Sequence, residues 1–256
     1  KITFAAPYVQ YARLKSAAVE SGVSLRYETT VGAALPILES IARSVNSGDD
    51  IVRVDAVLSG TLNYIFSTYK GGEDGKTFAD VVRRAQEAGY SEPDPRLDLS
   101  GRDVLRKLLI LSREAGAEID EADVDISPII GPEFFSGKVP EFYEMLAAHE
   151  ADFAASYRAA ADNGLRQRFV ASLVAEPVEV NADAAAAGAE VSRSAVRYKA
   201  SMGLQSVGPD SPLYNLCGTD NAALIWTSFY PSPLVVQGAG AGAYQTASGV
   251  LNDILM

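Results

Sequence analysis

A lysine and an aspartate one helical turn apart, set in an apolar run, are the residues of this chain best placed to move a proton. In GYSEPDPRLDLSGRDVLRKLLIL, residues 89–111, the spacing predicts a helix over 102–115 with Asp103 and Lys107 on one side and Val104, Ile110 and Leu111 flanking them. An amine partly shielded from water beside a carboxylate has the balance that a group giving and taking a proton needs. Taken alone, the pair reads better as a surface ion pair worth about 0.3–0.5 kcal/mol. The preceding turn favours chemistry: Glu92, Asp94 and Asp98 crowd between Pro93, Pro95 and Gly101. Stiff prolines with clustered acids suit a loop that holds an ammonium group, although acids in a solvated turn are common.

The elements around this stretch are expected to be helices and strands without a regular alternation. Residues 7–22 predict a helix with Tyr11, Leu14 and Ala18 on one face, 23–27 a short strand, 33–48 a helix and 51–58 an alternating strand. Residues 59–72 and 77–89 return to helix. Beyond Pro128 the chain is irregular to about residue 142, helical over 144–164, and alternating over 166–180, with further strands expected at 194–200, 222–229 and 234–237 and a last helix from about Gly242 to Leu255. This pattern predicts an α+β fold with a mixed β-sheet and helices packed on it. The expected division is 1–236 as one catalytic and dimerisation unit and 237–256 as a Gly-rich segment and helix. No Pro/Gly/Ser-rich linker separates them.

Composition limits the partners. The chain has 256 residues, 48% hydrophobic, enough for a substantial core, and a net charge of -11 without a basic run. That balance argues against nucleic acid and anionic membranes, each of which needs a positive face, and leaves a small molecule as the expected partner. One cysteine, Cys217, cannot form an internal disulfide or a Cys-His zinc site, so a reducing cytoplasm is the expected compartment. No apolar run reaches membrane-spanning length and no signal peptide is expected. Cys217 is expected to pack near a turn, Trp226 to lie in strand core, and the lone His149 to sit on a helix surface without metal. Lys1 in place of methionine suggests a chain cut from something longer.

The segment EPDPRLDLSGRDVLRKL resembles the substrate-binding segment of homoserine dehydrogenases, and YETTVGAALPI (27–37), SGTLNYI (59–65) and QGAGAGAYQTASGVLNDIL (237–255) agree with that family in order and spacing. The ending from Cys217 to Gly242 is most similar to members fused to aspartate kinase. The family begins with a nucleotide-binding half that this chain lacks, so Lys1 resembles the family's first active-site lysine, and the final helix resembles the segment returning to that half.

The resemblance implies hydride transfer between NAD or NADP and the aldehyde carbon of aspartate 4-semialdehyde, giving homoserine, with the isolated chain poorly active. By this analogy Lys107 donates the proton, Asp103 orients it, and Lys1 lies near substrate and nicotinamide. Glu92 and Asp98 bind substrate, Glu92 facing its ammonium group, with backbone from Gly60 and Thr61. Gly242 contacts the cofactor. A monovalent cation, usually sodium, is implied on oxygens of Glu28, Val31, Ala33 and Leu35, although the residues alone read there as a helix entry. GAGAGA (238–243) alone reads as weakly as a flexible connection. A homodimer is implied, with the alternating strands needing cover at an edge or face. Two other classes compete: a lyase with Lys107 as a Schiff-base lysine, and a non-catalytic amino-acid-binding or oligomerisation module.

Overall fold

The computed structural model describes residues 10–176 and 196–255. Six strands form one sheet in the order β2-β4-β3-β1-β5-β6. They are β1 (Ile51–Val57), β2 (Val124–Ile126), β3 (Arg166–Glu176), β4 (Arg197–Val207), β5 (Asp220–Thr227) and β6 (Leu234–Ala239). Every pairing is antiparallel except β2 with β4, so the sheet is mixed, as the sequence predicts. Central β1 pairs with both β3 and β5, for example through Val54 with Leu173 and Ile225.

Nine helices are described: α1 (Tyr11–Glu20), α2 (Ile37–Asn46), α3 (Gly60–Thr68), α4 (Phe78–Glu87), α5 (Arg96–Leu99), α6 (Arg102–Glu114), α7 (Val139–Ala148), α8 (Glu150–Ala161) and α9 (Ala243–Leu255). The larger core lies between the helices and one sheet face. There Val104, Leu105, Leu108, Leu109 and Leu111 of α6 meet Ile37 and Ile41 of α2 and strand residues Val54, Phe169 and Leu173. The stripe exists because α6 is apolar on more than one side, burying seven of its thirteen residues. On the opposite sheet face a smaller cluster of Val57, Val170, Ala222 and Leu224 is covered by Leu213 and Leu216 from the loop between β4 and β5.

Several expectations need correction. Residues 23–27 are not a strand: among the described residues no strand pairs with them, and Tyr27 instead buries its ring and hydrogen-bonds Glu114. The helix expected over 144–164 is two, broken at His149, whose backbone leaves helical geometry (ψ 15°) while its Nδ1 lies 2.9 Å from the Met145 carbonyl oxygen. His149 is half-buried against Phe134, with ring centroids 5.0 Å apart, and not on an open helix surface. Cys217 is exposed where packing was expected. Trp226 lies on β5 but is only half-buried, under the Arg53 guanidinium at 5.2 Å. Strand β4 runs seven residues beyond its expected end, to Val207, because its whole length pairs with β3. The segments predicted at 7–9, 177–180 and 194–195, and Lys1, lie outside the described residues.

Candidate functional site

Three pieces of chain converge where β1 ends: the start of α3, the acidic turn over 90–101, and the first turns of α6. Lys107 reaches from α6 to this junction. Its Nζ donates to the Leu58 carbonyl oxygen at 2.8 Å and stands 2.8 Å from Asp103 Oδ2. The lysine side chain keeps 15% of its exposure and the aspartate 56%, so the amine is shielded while its carboxylate partner stays wet. An ammonium carries three N–H donors, and among the described residues these two partners engage two of them.

Leu58, fully buried, leads into Ser59, whose hydroxyl oxygen accepts from Leu62 N at 3.2 Å and starts α3. Gly60 then passes the 219 loop so closely that a Cβ there would lie 2.7 Å from the Thr219 carbonyl oxygen. Thr61 is buried, and its hydroxyl donates to the Tyr90 carbonyl oxygen at 2.5 Å, tying α3 to the acidic turn.

Within that turn the acids divide their work. Asp98 Oδ2 accepts from Glu92 N at 2.9 Å and from Ser91 Oγ at 3.1 Å, so this carboxylate shapes the loop. Asp94 is taken by Arg96, at 2.7 Å to Nη2 and 2.8 Å to Nε, which holds its carboxyl below the ordinary range. Arg96 in turn donates to the carbonyls of Ser136 and Gly137, pinning the turn to the following loop. Glu92 remains exposed.

The stretch over 27–37 folds as a 3-10 turn (Glu28–Thr30) followed by an irregular bend into α2. Both Glu28 oxygens cap α2, accepting from Leu38 N at 2.8 Å and Glu39 N at 2.7 Å. Burial pushes the Glu28 carboxyl up to about 7 against the opposing pull of those amides. Ala33 adopts a φ of 55°, the one positive non-glycine φ among the described residues. The carbonyl of Glu28 accepts from Val31 N and that of Leu35 from Ile37 N, at 3.2 and 2.7 Å. Among the described residues no group of three His, Cys, Asp or Glu side chains could hold a metal ion.

The final helix docks on this same bend. Gly249, its buried residue, faces it so tightly that a Cβ would come within 2.5 Å of Thr29 Cγ2 and 3.2 Å of Ala34 Cα. Gly242 precedes α9 with a φ of 129° and packs on the side chain of Gln245. The candidate residues therefore form two groups. Asp103, Lys107, Gly60, Thr61, Glu92 and Asp98 gather around the end of β1, whereas Glu28, Val31, Ala33 and Leu35 lie beneath α9 with Gly242 leading into it.

The carbonyls of Leu58, Tyr90 and Thr219 are not legible in the sequence, because backbone groups carry no residue signature. Asn63 belongs with them. This buried amide donates to the carbonyls of Cys217, Gly218 and Asp220 at 3.1–3.3 Å and so holds the 217–220 loop against Gly60. An asparagine inside the apolar helix LNYIF was the available signal.

A mixed six-stranded sheet with helices on one face, with a shielded lysine beside an acidic turn, defines an α+β protein. The sequence profile of the homoserine dehydrogenase family matches residues 36–255, and the chain belongs to that family. A bifunctional aspartokinase/homoserine dehydrogenase 2 of Arabidopsis thaliana is 36% identical over 97% of this chain and 25% of its own length. A homoserine dehydrogenase of Emericella nidulans is 36% identical over 94% of this chain and 62% of its own. A crystal structure of a Candida auris protein of unknown function superposes with a TM-score of 0.79 and 34% identity, covering 94% of this chain and 63% of that one. The chain thus spans between a quarter and under two thirds of the length of these relatives.

Proposed function

We propose that the protein containing this chain is an NAD(P)-dependent oxidoreductase that interconverts aspartate 4-semialdehyde and homoserine, and that this chain supplies the substrate and proton-transfer groups. Membership in the homoserine dehydrogenase family supports the reaction. The observation that carries the site is the Lys107 ammonium, fixed by Leu58 O and Asp103, which among the described residues engage two of its three N–H donors.

The nicotinamide group, when bound, supplies or receives the hydride. Lys107 directs its third N–H at the substrate oxygen and delivers a proton as negative charge grows there. Asp103 is a positioning residue: it holds the ammonium in line. Glu92 offers an exposed carboxylate to the substrate ammonium, while Asp98 keeps the Glu92 backbone in place. Gly60 and Thr61 present backbone at the start of α3. Gly242 leads into the thirteen-residue α9, whose exposed first turn has amides suited to a phosphate of the cofactor. Lys1, outside the described residues, is assigned by resemblance to the same reaction centre.

A monovalent cation, sodium by resemblance, fits the bend at 28–35. By resemblance the carbonyls of Val31 and Ala33 take part, the Glu28 carboxylate lies in the same turn, and the left-handed Ala33 is the kind of strain found at ligand sites. Leu35 and Glu28 carbonyls complete the set. We further assign residues 1–236 to a catalytic unit that forms a homodimer and 237–256 to a segment joining the nucleotide-binding unit. Edge strand β6, with Val235 half exposed, and the partly covered second sheet face support that pairing. No helix among the described residues is long and apolar enough to cross a membrane, and we place the enzyme in the cytoplasm, in the biosynthesis of threonine and methionine.

The test is product analysis with the full-length protein, aspartate semialdehyde and NADPH. Homoserine formed in step with nicotinamide oxidation is expected. Borohydride trapping of the substrate on Lys107, without homoserine, would overturn the assignment in favour of a Schiff-base lyase.

A further inference from the structure

Among the described residues, a basic cleft lies apart from the site above, at the start of β3. Its volume is about 420 Å³, and Lys70, Tyr157, Arg166, Arg168 and Tyr214 line it. Arg166 and Arg168 are two residues apart on one strand and so face the same way. Lys70 follows the C-terminus of α3 and donates to the Ser67 carbonyl oxygen at 3.1 Å.

Arg168 is the unusual member, because it is 2% exposed. Its guanidinium donates to the carbonyls of Gln167, Leu213, Tyr214 and Leu216 at 2.7, 3.1, 2.8 and 2.6 Å. Three of those bonds pin the loop over 213–216, and a guanidinium has five N–H donors. Among the described residues, one on Nη1 is therefore left without a partner. Carbonyl oxygens also answer hydrogen bonds without neutralising charge, and an uncompensated buried cation is costly.

No acid is among the described residues that line the cleft. None of the ion pairs formed there includes Lys70, Arg166 or Arg168. Asp74 acts on Lys70 from the rim but is held by Lys76 at 2.5 Å, and Glu73 likewise stands outside the lining. Burial, then the nearby Arg166 and Arg168, push the Lys70 pKa down; burial, then Arg166, do the same to Arg168. Arg166 is preset by stacking on Tyr214 at 4.1 Å and by bonds to Tyr214 O and Asn215 Oδ1 at 3.1 and 3.0 Å. Pinning a loop explains Arg168 alone. It leaves two further cations converging on the same small cleft.

We propose that this cleft binds a phosphate group, free or as a monoester, between Lys70, Arg166 and the buried Arg168. A phosphate dianion matches the local charge better than one carboxylate, and its oxygens accept from forked guanidinium donors. The cleft is too small for a polymer, and the net charge of -11 opposes one.

Calorimetric titration of the protein with inorganic phosphate, and separately with glycerol 3-phosphate, at constant ionic strength set with chloride, tests this. Saturable single-site binding is expected. Lys70→Gln and Arg166→Gln each remove an exposed cation without touching the core and should weaken binding on the order of tenfold, as loss of one charge-assisted hydrogen bond implies. Lys199→Gln, on β4 outside this cleft, should leave it unchanged. Tighter binding of the ester assigns a monoester and equal affinity the free anion; both support the site. Absence of saturable heat, or undiminished affinity in the Lys70→Gln/Arg166→Gln double variant, would overturn it.

Discussion

Replacing Lys107 separates a proton donor from an ornamental ion pair, because the two roles predict opposite results for charge-conserving variants. In Lys107→Ala the fully buried Leu58 carbonyl loses its donor, a loss of about 1–3 kcal/mol for an unsatisfied buried acceptor. Asp103, more than half exposed, is rehydrated, so the ion pair adds only about 0.3–0.5 kcal/mol. The melting temperature should fall by several degrees, at roughly 2–4 °C per kcal/mol for a chain of this size. Turnover should fall much further, by about 10²–10⁴-fold in kcat with a smaller change in KM, the usual worth of general acid–base catalysis. Lys107→Arg keeps the charge and can still pair with Asp103. As a proton donor it should fail almost as badly, since a guanidinium with a pKa above about 12 does not release its proton near neutrality. The assay is nicotinamide oxidation by the full-length enzyme with aspartate semialdehyde, beside a thermal melt of each variant. Full activity in Lys107→Arg would refute the reasoning and return the residue to an ordinary helix face.

Glu92→Gln should raise KM for the amino-acid substrate several-fold while leaving kcat and melting temperature nearly unchanged, because the side chain is exposed; an unaltered KM in steady-state assays counts against ammonium recognition there. Glu28 has a folded-state pKa raised from 4.5 to about 7. The folded state therefore holds the proton more tightly, so this group's contribution is fully present below pH 4.5 and is lost as pH rises through about 7. Urea melts of Glu28→Gln should lack that downward slope between those values, and an unchanged slope would mean that another group produces it. Asn63→Ala should cost about 1–3 kcal/mol, since it releases the carbonyls of Cys217, Gly218 and Asp220. It should also raise KM, since Thr219 no longer holds against Gly60; a stability loss with no change in KM would uncouple the loop from the site.

What the sequence made legible was local. Asp103 and Lys107 could be paired because a helix places residues four apart together, and β1 and α6 could be placed because alternation and a broad apolar stripe are properties of a short window. What it hid was decided at a distance. Val23–Tyr27 has the composition of a strand, yet a strand exists only where a neighbour offers an edge. Strand β2 has three residues, too few for a period, and is defined by its pairing with Ala200, Ser201 and Met202. Helix α5 sits inside the Pro-rich turn, where Pro95 at its N-cap removes a donor that a helix start does not need. The acids of that turn looked alike, but only the fold shows Asp94 spent on Arg96 and Asp98 on its own loop, with Glu92 left open.

Helix α3 gives the two sites a common frame. Its first residues, Gly60 and Thr61, meet Thr219 and Tyr90, and just past its last turn Lys70 enters the basic cleft. The loop between β4 and β5 touches both ends: Arg168 grips its carbonyls at 213, 214 and 216, and Asn63 grips those at 217, 218 and 220. Asn63 and Arg168 are both almost fully buried, and both direct their donors at backbone carbonyls. Neither side chain belongs to the hydrophobic core clusters. Their shared effect is to fix one loop against both a strand and a helix, so that Gly60 stays where a side chain could not fit. A loop held at two points by buried polar groups has few alternative arrangements, because shifting it would strand several donors at once. The precision of the Lys107 end is thus set partly at the Arg168 end, through hydrogen bonds whose acceptors are all backbone.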